Sequence, residues 1–263
     1  MKQRLITIAN AAGVFVALLA IWQLVLWIFK VPPYMLPSPW AVARAVVARF
    51  PSLLNSFAIT AAESAGGLIA SIIVGVLVAL FFAQSRWVRR MLYPYTILLQ
   101  TVPIIAIAPL ILMWIGAGTA AVALIAFIIS LAPVIANTTQ GLVSVDENLV
   151  NLFLMHNASR AQILFKLRLP HAVPSLFVGI RIASGIAVIG AVTGELYAGS
   201  SRVGEGGLGY SILYASSQLQ TDYLFALVLA ATVLGFSFFF VVMFLEWYSL
   251  HRWHESARAP ETE

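Results

Sequence analysis

Polar residues are so sparse along this chain that they serve mainly as punctuation, dividing it into six apolar runs at about 9–29, 58–83, 95–116, 119–143, 176–198 and 223–247. Each run is long enough to cross ~30 Å of hydrocarbon as a helix. Helices are expected because a lipid-exposed backbone must satisfy its own hydrogen bonds. The pattern predicts an all-α integral membrane protein with about six transmembrane helices. The first run reads as a retained helix. It extends to Phe29, well past the ~7–15 residues of a signal-peptide core, and no small-x-small site precedes Lys30.

Composition agrees. Of 263 residues, 61% are hydrophobic and 10% charged, with a mean hydropathy of +0.95. Soluble domains carry ~45–50% apolar and ~25% charged residues. A water-facing surface cannot be built from so few charges, and so much apolar surface cannot stay solvated as a disordered chain. The lack of cysteine excludes disulfides, thiolate metal sites and cysteine nucleophiles. The formal charge of +5 has a topological cause. Lys2, Arg4, Arg86, Arg89, Arg90, Arg160, Lys166, Arg168, Arg252 and Arg258 fall at one set of span ends. Lys30, Arg44, Arg49 and Arg202 fall at the other, and Arg181 lies just inside span five. Ten cations against four place both termini in the cytoplasm. The basic balance therefore implies no nucleic-acid partner.

Between and within the spans, local signals add detail. Ser38-Pro39 can start a short interfacial helix over 40–49. Gly66, Gly67, Ser71 and Gly75 let helices approach closely in span two. Pro103 and Pro109 in span three imply either a packed kink or a broken helix lining a pathway. Asn137, Thr138, Thr139 and Gln140 must face protein or water. The longest cytoplasmic segment, about 146–175, opens on Asp146 and Glu147, which favour a helix N-terminus. Leu149, Leu152, Phe153 and His156 share one helical face; Ala161, Leu164, Phe165 and Arg168 continue it. Pro170 and Pro174 then close the segment ahead of span five. In the glycine-rich outer loop, Gly204, Gly206 and Gly209 mimic a dinucleotide fingerprint. That motif needs a strand and a βαβ unit, which two membrane helices do not provide.

A cytoplasmic helix–turn between two spans, ending Leu167-Arg168-Leu169-Pro170, resembles the EAA loop of bacterial ABC importer permeases of the type I fold. The family pattern runs roughly E-A-A-x3-G-x9-I-x-L-P. Its opening positions fall here on Asn151, Leu152 and Phe153, and its glycine on Asn157. Asn is the commonest replacement for glycine in a left-handed turn, so helix–Asn–helix would keep the bend. Leu36-Pro37-Ser38-Pro39, Thr101-Val102-Pro103, Ala108-Pro109-Leu110, Trp114, Gly116, Asn137-Thr138, Gly141, Gly179, Arg181, Gly194-Glu195 and Gly207-Leu208-Gly209-Tyr210 resemble the nitrate/sulfonate/taurine branch, in order along nearly the whole chain. Glu63 and the run Val188–Glu195 resemble the subgroup associated with pyrimidine thiamine precursors or riboflavin.

The resemblance implies a multi-pass subunit of the bacterial plasma membrane that binds no cofactor itself. The sequence has no P-loop, so ATP and Mg would belong to a partner ATPase. Implied partners are ABC ATPases, a second permease copy as a homodimer, an extracytoplasmic binding protein and membrane lipid. It also implies three regions: an N-terminal helix with an outer segment (1–57), the transmembrane domain (58–247) and a cytoplasmic tail (248–263). His156, Asn157, Ala158, Ser159, Arg160, Phe165, Leu169 and Pro170 would dock the ATPase. Glu195, Glu63, Gln100, Thr101, Trp114 and Asn137 are candidates for the pathway. Each has a competing reading: Glu195 and Glu63 as structural acids, the others as packing residues. The implied substrate is a small organic metabolite of pyrimidine or riboflavin type, or a nitrate, sulfonate, taurine or bicarbonate-type anion. Without a cation in mid-membrane, the charge pattern leans toward a neutral or heteroaromatic cargo. The alternatives are an ion-coupled secondary transporter, which would show inverted repeats and several buried charges, and an intramembrane enzyme. The four histidines, His156, His171, His251 and His254, all lie outside the spans, which leaves that enzyme without a site.

Overall fold

A computed structural model describes residues 2–198 and 206–251, and every described element is helical. The helices are α1 (Lys2–Phe29), α2 (Pro39–Ala48), α3 (Phe50–Gln84), α4 (Arg86–Thr101), α5 (Ile104–Ile115), α6 (Thr119–Val143), α7 (Glu147–Met155), α8 (Arg160–Ile163), α9 (Leu169–Ala198), α10 (Leu208–Ser217) and α11 (Thr221–Leu250). A π-helical turn, Leu164–Arg168, joins α8 to α9. Gly199, Arg202, Gly204, Arg252, His254 and Arg258 lie outside the described residues.

The core is built on α6, which packs against both α3 and α9. Small residues set the distance. A Cβ on Gly67 would lie 2.6 Å from the Ala126 Cβ and 2.7 Å from the Ala123 carbonyl oxygen, so α3 and α6 touch nearly backbone to backbone. Without a hydrophobic drive between helices in lipid, such close packing supplies much of the cohesion. Two hydroxyls buried along this core fold back on their own helices: Ser71 donates to the Leu68 carbonyl at 2.8 Å and Ser130 to that of Ala126 at 2.6 Å. α11 closes the bundle against α9, and α1 leans on it through Trp22 and Phe225, whose ring centroids are 5.8 Å apart.

The helices α3, α6, α11 and the continuous α8–α9 rod are long and apolar enough to cross a membrane; with α4–α5 counted as one bent span, they number five. The sixth expected crossing is α1, whose Val16–Phe29 stretch is a shorter apolar helix. Of the two readings open for span three, the broken helix is the one observed: α4 and α5 meet at 94°. Pro103 has no amide hydrogen to continue the ladder and holds Val102 extended, at φ −68° and ψ 121°. Spans two and five begin earlier than expected, at Phe50 and Leu169. Pro170 and Pro174 do not stop a helix ahead of span five. They lie inside the rod that runs from Arg160 to Ala198, just after its π turn, so the helix continues through both prolines.

Several local expectations agree with the fold. Ser38 caps α2, its Oγ accepting the Ala41 amide at 3.1 Å, with Pro39 in the first turn. Asp146 caps α7 through the Asn148 amide at 2.7 Å. Arg181 pairs with Glu246 of α11. Glu246 is a third acid within the apolar runs, alongside Glu63 and Glu195.

Candidate functional site

Two polar constructions stand at opposite ends of α9. The first is the helix–turn–helix of α7, α8 and the π turn. α7 ends in a Schellman motif: the Ala158 amide donates to the Phe153 carbonyl at 3.0 Å and the Asn157 amide to that of Leu154 at 2.9 Å. Asn157 is left-handed, with φ 54°, as its place in the loop pattern requires. Ser159 immediately starts the next helix with a capping box. Its Oγ accepts the Gln162 amide at 3.3 Å, and its own amide donates to Gln162 Oε1 at 2.7 Å. Four residues thus close one helix, reverse the chain and open the next.

No residue of α7 is buried. Leu152 is 48% exposed and Met155 80%, while Phe165 beyond the turn is 59% exposed. A cleft of about 580 Å³ opens between this segment and the end of α3, lined by Gln84, Val150, Leu154, Arg160, Phe165 and Arg168. A smaller hollow of about 300 Å³ involves His156, Ala158 and Lys166. The predicted docking residues therefore do share one end of the bundle. Leu169 and Pro170 stand at its root, half-buried in the first turn of α9.

The second construction lies at the far end of α9. Glu195 and Glu63 are both buried, with their carboxyls close enough to interact, and Glu63 Oε2 has no hydrogen-bond partner among the described residues. Thr60, one turn before Glu63 on α3, donates its Oγ1 hydrogen to Glu195 Oε1 at 2.7 Å. The same Oγ1 accepts the Leu208 amide at 2.8 Å, and Glu195 Oε2 accepts the Gly209 amide at 2.6 Å. α10 begins at Gly207, which has no side chain to cap it. Its first two amides are capped instead by Thr60 and Glu195 from two other helices. A carboxylate is well placed there, against the positive end of the helix dipole. Glycine is needed on the facing strip, because a Cβ on Gly209 would strike the Val192 carbonyl, and one on Gly207 the Glu195 carboxyl. Ser56 completes the clasp, donating to the Gly206 carbonyl at 3.0 Å with Ser211 Oγ 2.9 Å away.

The other pathway candidates lie elsewhere. Gln100, Thr101 and Trp114 are exposed on the bent pair, and Thr101 Oγ1 donates to the Leu98 carbonyl of its own helix. The Asn137 amide donates back to the Pro133 carbonyl at 2.9 Å. An apolar groove of about 580 Å³ between α9 and α11 went unnoticed in the sequence; Val188, Val192, Ile212, Phe236 and Phe239 are among its walls. Its residues come from three helices at spacings that periodicity alone does not connect. The roles of Thr60, Leu208 and Gly209 had a partial signal: the Thr60–Glu63 spacing of three and the Gly207-Leu208-Gly209 string.

Residues 71–252 match the family described as binding-protein-dependent transport system inner membrane component. The chain belongs to this family of ABC importer permeases. Relatives cover it almost end to end. A probable ABC transporter permease protein of Haemophilus influenzae is 34% identical across 96% of this chain and 98% of its own length. A formylaminopyrimidine transport permease protein of Halalkalibacterium halodurans is 31% identical across 88% and 91%. A riboflavin transport system permease protein of Chloroflexus aurantiacus is 34% identical across 73% and 71%. Permeases named for taurine and nitrate also match, which places the permease in the nitrate/sulfonate/taurine branch. It is a multi-pass transport component of the bacterial plasma membrane, and its family works with ATPase and substrate-binding partners. Membership in an ABC family displaces the secondary-transporter alternative.

Proposed function

We propose that this permease imports a small, uncharged or heteroaromatic organic metabolite, of the formylaminopyrimidine or riboflavin kind, as one of two identical copies. ATP is hydrolysed by partner subunits docked on α7, α8 and the π turn, at the cytoplasmic end of the bundle; the chain itself holds no nucleotide or metal. The observation that carries the docking reading is the bare apolar face of α7. Leu152 and Met155 stand uncovered outside the bundle core, beside a cleft with basic walls at Arg160 and Arg168. Apolar side chains rimmed by cations suit a partner groove with acidic edges.

The substrate class rests on the groove between α9 and α11 and on the two named relatives. Thr193 and Thr232 are the polar side chains of its wall, and no charged residue lines it. A nitrate or sulfonate site would gain from a guanidinium or ammonium there. Asn137 and the bent α4–α5 pair would border the same pathway across the homodimer axis.

The test is uptake in proteoliposomes containing the permease, its ATPase and its binding protein. Formylaminopyrimidine or riboflavin should accumulate only with ATP inside the ATPase compartment, and taurine or nitrate should not. Saturable ATP-driven uptake of taurine or nitrate alone would overturn the substrate reading. Uptake driven by an ion gradient without ATP would overturn the mechanism.

A further inference from the structure

α4 leaves most of its surface uncovered. It packs on α3 and α6 along one narrow face: Thr96 is its buried residue, with the half-buried Tyr93 and Arg89 one and two turns before it. The Tyr93 ring meets Phe82 of α3 edge-on, at 6.4 Å between centroids. On the opposite face Trp87, Met91, Tyr95 and Leu98 follow one another at helical spacing, and all four are more than half exposed. Arg86 and Arg90 flank the head of this stripe, where Ser85 caps the helix and the positive end of its dipole adds to their charge.

The length of the stripe indicates what covers it. From Trp87 to Leu98 a helix rises about 16 Å. Half of a ~30 Å hydrocarbon core, the depth of one leaflet, is about 15 Å. An apolar stripe one leaflet long, with tryptophan and arginine at its head, has the order of a phospholipid read from headgroup to chain end. A water-soluble partner reaches the head and not the rest. A second copy related by a two-fold axis through this face would set Arg86 and Arg90 against their own counterparts. The cations are also free to act: Glu147 stands 3.9 Å from Arg86, but both side chains are more than four-fifths exposed, so that pair is weak.

We propose that the exposed face of α4 is a binding site for an anionic phospholipid of the leaflet at the α7–α8 end. Its phosphate lies at Arg86 and Arg90 beside Trp87, and an acyl chain runs along Met91, Tyr95 and Leu98. Two cations near the surface favour an anionic headgroup over a zwitterionic one by about tenfold. The site is independent of cargo and of ATP, so it stands or falls apart from the importer reading.

Quenching of tryptophan fluorescence by brominated lipid tests it. The full chain is reconstituted in phosphatidylcholine bilayers containing brominated phosphatidylglycerol or, at the same mole fraction, brominated phosphatidylcholine. The chain has seven tryptophans, so the difference between wild type and Trp87→Phe isolates the signal of Trp87. That signal should be quenched by both lipids, with a relative association constant about ten times higher for phosphatidylglycerol. The preference should vanish in the double variant Arg86→Gln, Arg90→Gln and persist in Arg86→Lys, Arg90→Lys.

Equal quenching of wild-type Trp87 by the two lipids, or a preference that survives the double glutamine change, would overturn the proposal. So would a Trp87 that neither lipid quenches, which would give the face to a second copy, or one that escapes quenching once the ATPase is added. Should the double glutamine variant fail to insert, the wild type carries the comparison. Its preference must fall as salt is raised from about 0.1 M to about 1 M, which shortens the screening length from ~10 Å to ~3 Å. A preference indifferent to salt would equally refute the site.

Discussion

Arg168 donates to the backbone carbonyl of Ala83 at 3.0 Å, tying the last residue of the π turn to the end of α3 across 85 positions of chain. The bond links the segment of α7, α8 and the π turn to a second long helix as well as to α9. A push on α7–α8 therefore reaches α3 and α9 together. π turns carry an extra residue in the ladder and are frequent where a helix must yield at a functional site.

Arg168→Met should keep the aliphatic stem and lose the bond. A hydrogen bond from a charged donor is worth about 1.5–3 kcal/mol. The expected outcome is a modest fall in thermal stability with a larger loss of transport per ATP hydrolysed. Parallel ATPase and uptake assays on the complex would show it.

Asn157→Gly should preserve the Schellman turn and docking. Asn157→Val should not, because a β-branched residue at φ 54° meets a left-handed penalty of about 1–2 kcal/mol or more. Affinity of the ATPase for the detergent-solubilised permease is the measurement. Equal affinity for both variants would remove the turn from the coupling account.

Phe165→Ala should leave folding unchanged, since the ring is 59% exposed and supports little of the core. If it fills a groove on the ATPase, truncation should weaken binding about tenfold, or ~1.4 kcal/mol. Co-purification at graded dilution would detect the shift, with circular dichroism as the folding control.

Arg181 and Glu246 form an ion pair between α9 and α11, with the guanidinium also 5.9 Å from the Phe239 ring centroid. Removing one partner strands a charge in an apolar setting and commonly costs about 3–5 kcal/mol. Arg181→Met and Glu246→Met alone should lower the melting temperature clearly, and the double variant should recover most of the loss. Additive losses in the double variant would show that the two side chains act independently.

How much was legible in advance can be read from particular residues. Ser38, Asp146 and Asn157 were interpretable because caps and left-handed turns are local: a few neighbouring atoms decide them. The helical class and the amphipathic stripe of α7 followed from periodicity and length for the same reason. The ends of α3 and α9 were misjudged because polar or proline-bearing turns extend the helices beyond their apolar runs. The 94° break at Val102-Pro103 was one of two open readings, since proline alone dictates a bend and neighbouring helices set its size.

The sequence by itself determined that this is a helical membrane protein, how its apolar runs are ordered, where the helix–turn–helix around Asn157 lies, and which family it resembles. Those properties depend on transfer of apolar side chains from water and on backbone rules acting over a few residues. Only the tertiary structure decided that Glu63 and Glu195, 132 positions apart, are buried beside one another and that Thr60 caps a helix starting at Leu208. The pairing of distant polar groups depends on where packed helices bring them, at spacings set by contacts such as Gly67 against Ala126. No periodicity along the chain encodes that.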